Sequence, residues 1–218
     1  MKICEIFRSI QGEGPSLGRP AVFIRLSGCN LRCWFCDTKY AWNNGKQLNI
    51  EELINHVMRS CEKLIVITGG EPLLQATEVE ELMLKLLNIK NYIFEIETNG
   101  TIWYEFSDKV KDHLRLIISP KDFIYPSLGD LVKNNIIKWI RVKHQVHLKL
   151  VVEPEWCREY VMKWLKFVEK LGIEVYVQPL DLNYSVEELL SKYVQLYEKL
   201  KDLDVIIRPQ MHKLTKLP

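Results

Sequence analysis

Short β-branched runs recur along the chain: Ala21 to Leu26, Leu64 to Thr68, Tyr92 to Glu97, Leu114 to Ser119, His147 to Val152, Glu174 to Val177 and Asp204 to Arg208. Continuous apolar runs of this length, bounded by polar turns, predict strands covered on both faces, as in a parallel sheet. Between several of them lie segments with apolar positions at helical spacing. Thr77 with Glu80 and Ser185 with Glu188 each fit a capping box, in which a hydroxyl and a carboxylate satisfy amide donors at a helix start. A Leu-rich amphipathic stretch follows each. Pro154 suits the first turn of a helix running to about Leu171, and Gly172 suits the left-handed position that ends it.

The β-α alternation continues with no Ser/Gly-rich linker, no charge block and no internal repeat, which predicts one domain over residues 1–218. About eight strand candidates with fewer convincing helices place the chain in the α/β class. The pattern fits an incomplete or distorted (β/α) barrel or a doubly wound sheet. Either architecture gathers functional groups at the C-terminal ends of its strands. One stretch breaks the rhythm: residues 27–48, rich in Gly, Asn, Cys and Trp, stand where a short turn is usual. Something other than packing is expected to organise it.

Composition sharpens this picture. With 47% hydrophobic and 27% charged residues in 218, the chain is not disordered. It is long enough to bury roughly 70% of the surface its unfolded form exposes, so it needs no disulfide staples. Its 6 cysteines are free for other work. Thirty Lys and Arg against 28 Asp and Glu leave a net charge of +2, too balanced for a protein that lives by neutralising phosphates, so no nucleic-acid partner is expected. The chain has no apolar run of about 18 residues and no basic-then-apolar start. The expectation is a cytoplasmic protein without a membrane partner. In that reducing compartment, clustered cysteines hold metal or do redox chemistry.

Cys29, Cys33 and Cys36 form such a cluster, spaced C-x3-C-x2-C. Structural zinc wants four ligands, and Cys4, Cys61 and Cys157 stand alone, reading as small buried hydrophobes. His144 and His147 have zinc-ligand spacing without a third partner and read as an exposed strand end. A four-iron cluster held by three cysteines leaves one iron open to a small molecule, which points to chemistry at the cluster. Thr68-Gly69-Gly70-Glu71-Pro72 closes the strand that follows, and alone would pass for a tight turn. Glu97-Thr98-Asn99-Gly100-Thr101, Ser119-Pro120-Lys121 and Gln178-Pro179-Leu180-Asp181 close later ones.

The cysteine spacing, with Phe35 as the aromatic before the last cysteine, resembles the cluster motif of the radical S-adenosylmethionine (SAM) superfamily. The resemblance implies a partial barrel of the radical SAM type, a 4Fe-4S cluster on Cys29, Cys33 and Cys36, and SAM chelated to the open iron. An electron enters the sulfonium, and the radical so formed takes hydrogen from substrate. The same resemblance assigns SAM to Phe35, Cys36 and Asp37, to Gly70 and Glu71, to Glu97 and Asn99, to Ser119, Pro120 and Lys121, and to Gln178, Pro179, Leu180 and Asp181. The two glycines are expected to let backbone approach the methionine amine. Trp34, Trp42 and Trp103 are expected to pack over the site.

Ser9-Ile10-Gln11-Gly12-Glu13-Gly14, the run Cys36-Asp37-Thr38 and the closing Arg208-Pro209-Gln210-Met211-His212-Lys213 narrow the resemblance to the 7-carboxy-7-deazaguanine synthases. That family implies a carbon–nitrogen lyase that converts 6-carboxy-5,6,7,8-tetrahydropterin to 7-carboxy-7-deazaguanine with loss of ammonia, toward queuosine and other deazapurines. It also implies Mg2+ on Thr38, a homodimer, and a flavodoxin or ferredoxin as electron donor. By the same resemblance Ile10, Gln11, Gly12 and Glu13 read the pterin, Arg25 pairs with its carboxylate, Thr68 adds a hydroxyl, and His212 and the Pro218 carboxylate close over it. The plain alternative for the last two is a frayed tail, with Lys213 and Lys216 as solvated surface. Two other readings stand beside this one. They are an activating enzyme that installs a glycyl radical on a protein, and a zinc or iron-sulfur binding module without catalysis.

Overall fold

The computed structural model describes residues 1–215 and 217; Lys216 and Pro218, and with Pro218 its expected substrate contact, lie outside the described residues. Nine strands form one sheet in the order β3-β1-β2-β4-β5-β6-β7-β8-β9. They are β1 (Lys2–Ile10), β2 (Pro20–Leu26), β3 (Lys46–Gln47), β4 (Leu64–Gly69), β5 (Ile93–Thr98), β6 (Leu114–Ile118), β7 (Gln145–Val152), β8 (Val175–Pro179) and β9 (Ile206–Ile207). From β2 to β9 each neighbouring pair is parallel, while β1 runs antiparallel to β2 and to β3. The two ends of this order, β3 and β9, do not pair, so the sheet curls as an open partial barrel. Of the two architectures the pattern allowed, the structure takes the barrel-like one.

Helices α1 (Ile50–Met58), α2 (Ala76–Leu87), α3 (Asp108–Lys111), α4 (Gly129–Arg141), α5 (Cys157–Val168) and α6 (Val186–Leu200) follow strands in turn, and α7 (Met211–Thr215) closes the described chain. Side chains alternate across each strand. Val22, Ile24, Leu26, Ile65, Ile67, Phe94, Ile96, Leu116, Leu148 and Leu150 take the outer face, where they join one continuous core with Leu53, Leu82, Trp139 and Trp164 from the helices. A smaller cluster of Ala21, Phe23, Leu64 and Val66 occupies the inner face. It plugs the bottom of the barrel and leaves the upper half to polar groups.

The predicted strands stand with boundaries shifted by one or two residues, except that Asp204 to Arg208 pairs only over Ile206–Ile207. Strand β1 was not anticipated, because Cys4, Glu5, Arg8 and Ser9 break its apolar run. An antiparallel strand that starts the sheet does not need covering on both sides. Ser185 does cap α6, accepting from the Glu188 N–H while Glu188 accepts from the Ser185 N–H. A second capping box, unanticipated, joins Asn49 and Glu52 at the start of α1. The Thr77–Glu80 box does not form. The 3₁₀ turn Pro72–Gln75 runs straight into α2, so Thr77 already lies inside the helix, and Glu80 accepts instead from the Tyr104 hydroxyl at 2.6 Å and the Ser107 N–H at 2.7 Å. Pro154 precedes α5, which starts at Cys157 and ends at Val168; the Pro154 carbonyl accepts from Lys199 at 2.7 Å. Gly172 does take the left-handed conformation, with φ 64°.

Candidate active site

The cysteine loop is tied down by its own backbone and by the strand ends around it. Gly28 N–H donates to the Ala41 carbonyl at 2.9 Å, and the 3₁₀ turn Lys39–Trp42 and the short β3 give the long stretch internal order. Gly70 N–H donates to the Leu26 carbonyl at 3.1 Å and Glu71 N–H to the Gly28 carbonyl at 2.8 Å. The two glycines are needed for this crossing. A Cβ on Gly70 would lie 1.9 Å from the Gly28 oxygen, and Gly69, at φ 135°, has Leu26 backbone 2.2 Å from where its Cβ would stand. The glycine pair therefore serves an approach to the chain's own backbone at the root of Cys29, whatever else it admits.

Two further strand ends grip the loop. Asn30 donates to the Thr101 hydroxyl at 2.7 Å and accepts from the Asn99 amide at 2.9 Å. Arg32 N–H donates to the Tyr125 hydroxyl at 3.2 Å, and Phe35 stacks on Phe123 with ring centres 5.4 Å apart. The Glu71 carboxylate is wholly buried below, accepting from the Thr98 hydroxyl at 2.7 Å and from the Asn99 and Leu73 N–H groups at 2.8 and 3.0 Å. Its side chain acts as a strut under the loop. Burial pushes its pKa up.

Above these strand ends opens a cavity of about 400 Å³. Cys29, Cys33 and Cys36 line it together, all free thiols, and burial pushes those of Cys29 and Cys33 up. Sulfur donors gathered in this way offer a site for a soft metal group. Among the described residues no three His, Cys, Asp or Glu side chains are placed to share one metal ion. Three soft sulfur donors set around a common hollow fit a polynuclear iron-sulfur group better than a single zinc, which would need a fourth ligand. Thr38 also lines the cavity, with its hydroxyl 3.5 Å from the Cys36 sulfur.

The cavity gathers most of the residues expected around SAM: Phe35, Asp37, Gly70, Glu97, Asn99, Ser119, Lys121, Gln178, Leu180 and Asp181. Pro120, Pro179 and Glu71 are not among the residues that line it. Lys121 donates to the Ser119 carbonyl and hydroxyl at 2.8 and 2.6 Å, and burial lowers its pKa to about 8. Ile10, Gln11, Gly12, Glu13, Arg25, Thr68 and His212 line the same cavity. His212 sits so close that a Cβ on Gly12 would fall 2.5 Å from its Nδ1, and the Met211 N–H donates to the Gly12 carbonyl at 3.0 Å. Helix α7 is thus docked on the Gln11–Glu13 segment and is not a frayed tail. Lys213 is no solvated surface group either; it bridges Asp37 at 3.0 Å and Asp181 at 3.1 Å.

Several expected contacts are already taken within the protein. Arg25 spends its Nε on Glu5 at 2.6 Å, and Glu5 also accepts from the Tyr40 hydroxyl at 2.7 Å. The two terminal guanidinium nitrogens have no hydrogen bond among the described residues, so the fork that matches a carboxylate stays available. Glu13 accepts from Lys149, from Gln178 at 2.9 Å and from Gln210 at 3.0 Å. Lys149 also reaches Glu97 at 3.1 Å. Burial alone would raise Glu13 and lower Lys149. Their mutual attraction, helped by His212 on Glu13 and by Glu97 on Lys149, reverses both, holding Glu13 well below the usual carboxylate range and Lys149 above the usual lysine one.

Lys149 escaped the sequence reading, and Gln210 entered it only as a letter of the closing motif, without a role. The signal for Lys149 was present in the β7 run itself, where one charge interrupts apolar residues with the inward-facing parity of Val151.

Three other groups of expectations are corrected. His144 is buried and accepts from the Phe106 N–H, and His147 lies within β7, 3.2 Å from Glu174, so neither is an exposed strand end. Cys157 is a buried hydrophobe, but Cys61 is exposed and Cys4 half-buried. Of the three tryptophans only Trp42 lines the cavity; Trp34 and Trp103 face outward. No described helix is long and apolar enough to cross a membrane.

Known proteins place this geometry. The Radical SAM superfamily pattern matches residues 23–178. The chain is 36% identical to a 7-carboxy-7-deazaguanine synthase of Hyperthermus butylicus, covering 100% of this chain and 94% of that one. It is 34% identical to one of Aquifex aeolicus, covering 96% and 90%. In three dimensions it superposes on QueE from Escherichia coli with a TM-score of 0.70 at 21% identity, over 95% of this chain and 93% of the other, a likeness of fold. With cysteines, glycine turn and strand-end polar groups around one hollow, and relatives matched over nearly their whole length, the chain belongs to the 7-carboxy-7-deazaguanine synthases of the radical SAM superfamily.

Proposed function

We propose that this chain is a carbon–nitrogen lyase converting 6-carboxy-5,6,7,8-tetrahydropterin to 7-carboxy-7-deazaguanine and ammonia, with a 4Fe-4S cluster and SAM as cofactors. The observation that carries the reading is that three free thiols and a charged floor of Glu13, Glu97, Lys149 and Arg25 line one cavity. A glycyl-radical activating enzyme needs an open groove for a peptide and has no use for this floor. A cluster held by Cys29, Cys33 and Cys36 would, together with SAM, supply the one-electron chemistry that starts the reaction.

The chain's own residues do the rest. Cys29, Cys33 and Cys36 hold the cluster. Asn99, Ser119 and Lys121, at the ends of β5 and β6, offer hydrogen bonds and a positive charge to the carboxylate and ribose of SAM, and Leu180 and Asp181 face its adenine. Arg25 presents its free fork to the substrate carboxylate. Gln11, Glu13 and the Ile10–Gly12 backbone meet the donor and acceptor edge of the pterin, Thr68 adds a hydroxyl, and His212 on α7 closes the space and excludes water. Thr38 supplies an oxygen to Mg2+, which keeps few protein ligands.

The same family reading makes the chain one working domain from end to end, in a cytoplasmic homodimer reduced by a flavodoxin or ferredoxin. The test is anaerobic. The protein reconstituted with iron and sulfide, given SAM, Mg2+, reductant and the pterin, yields 7-carboxy-7-deazaguanine and ammonia in equal amounts without consuming SAM. SAM cleavage with the pterin untouched would contradict the substrate assignment.

A further inference from the structure

The cavity floor holds a charge arrangement centred on Lys149, a residue to which the reading above gives no contact with cofactor or substrate. Lys149 is almost fully buried on β7, and its ammonium lies between two carboxylates, Glu13 and Glu97, brought from the Gln11–Glu13 segment and from β5. Glu13 in turn receives the side-chain amides of Gln178 on β8 and of Gln210 just before α7. Both glutamines are buried, and both leave their amide oxygen without a partner among the described residues. Buried amides seldom leave an acceptor unmet. Here each turns its N–H side to Glu13 at that cost, because an ionised carboxylate can only accept. The orientation of both amides therefore follows from a negative Glu13, and Glu13 faces Glu97 across the same cavity. Glu13 and Glu97 are half-buried, and two carboxylates side by side repel each other unless a cation stands between them.

We propose that Lys149 is a positioning residue for the substrate: its ammonium bridges Glu13 and Glu97 and holds them in register, and so fixes Glu13, Gln178 and Gln210 as one preorganised surface against the ring edge. Three of the roughly four acceptor positions of the Glu13 carboxylate are filled by Lys149 and the two amides. What remains is one directed acceptor for a ring N–H. Without Lys149, Glu13 takes up a proton or swings from Glu97, the two amides lose their common partner, and the surface must be ordered by the ligand itself, which weakens binding. This inference rests on the pterin reading above.

The test uses the full chain, reconstituted anaerobically, with equilibrium binding of 6-carboxytetrahydropterin measured beside iron content and SAM affinity. In Lys149→Met, iron and SAM affinity stay as in the wild type, while pterin affinity falls on the order of a hundredfold, the scale for truncating one member of a buried charge pair. The loss appears in KM more than in kcat. Lys149→Arg, which keeps the charge, retains binding to within about tenfold. Should the Met variant fold poorly, Lys149→Ala supplemented with ethylammonium is the second arm, and added amine restores binding in a saturable way. Unchanged pterin affinity in Lys149→Met, an Arg variant as weak as Met, or no response to amine would each overturn the proposal. A wild-type protein that does not bind the pterin contradicts the functional reading itself, a result distinct from wild-type binding that survives loss of Lys149.

Discussion

The two faces of the sheet are made by the same strands and behave as different materials. Along β7 the outward residues Val146, Leu148, Leu150 and Val152 all join the main core, while the inward ones are His147, Lys149 and Val151. Along β5 the outward Phe94 and Ile96 oppose the inward Glu95 and Glu97. Glu95 is fully buried and is satisfied by Ser16 at 2.5 Å, Gln11 at 3.1 Å and Arg115 at 3.4 Å. The outer face needs only volume and apolarity, since area removed from water stabilises regardless of direction. The inner face needs each group matched to a particular partner, because an unmatched buried charge is costly. Stability lives on one side of these strands and chemistry on the other.

Substitutions on the two faces should accordingly read out in different assays. The largest effect is expected for Cys33→Ala, which removes one of three cluster ligands; iron content and turnover collapse, while far-UV circular dichroism stays native. Full iron retention would break the assignment of this loop. Leu116→Ala, on the outer face, leaves a cavity in the main core and costs about 3 kcal/mol of unfolding free energy by chemical denaturation. The affinity of what folds for the pterin should be unchanged, and a selective loss of pterin binding would blur the division between faces.

His144 tests the outer side by pH. It is buried, its Nδ1 has no partner among the described residues, and burial, with the charge of Lys111 adding to it, lowers its pKa from 6.5 to about 4. The unfolded chain takes up this proton near pH 6.5 and the folded chain only near 4, so unfolding free energy falls as pH drops through that window, by at most about 3 kcal/mol. The wild type should be more pH-sensitive than His144→Gln between those limits, and equal slopes would remove His144 as the cause. Smallest is Arg25→Ala on the inner face. Loss of one charged fork weakens pterin binding by about tenfold, with SAM affinity and thermal midpoint nearly unchanged.

This asymmetry also governs what could be read in advance. The outer face announces itself through apolar runs, which is why six of the seven predicted strands stand and their parallel order follows. The cysteine triad, the glycine turn and the strand-end motifs were legible because each is a local string. The Lys149–Glu13–Gln178–Gln210 arrangement was not, since its members are separated by up to 197 positions and meet only when β7, β8 and the end of the chain converge on the first loop. Strand β1 and the docking of α7 on Gly12 were hidden for the same reason. A helix start can mislead in the opposite direction: Thr77 and Glu80 have capping-box spacing, but the preceding 3₁₀ turn extends the helix past them.

The chemistry depends above all on the open iron that three cysteines imply. The measurement is iron content and electron paramagnetic resonance of the reduced, anaerobically reconstituted protein, recorded with and without SAM. About four irons per chain and a cluster spectrum that changes shape on adding SAM are the predicted result. Four irons with a spectrum indifferent to SAM, or a protein that binds zinc and no iron, would contradict it.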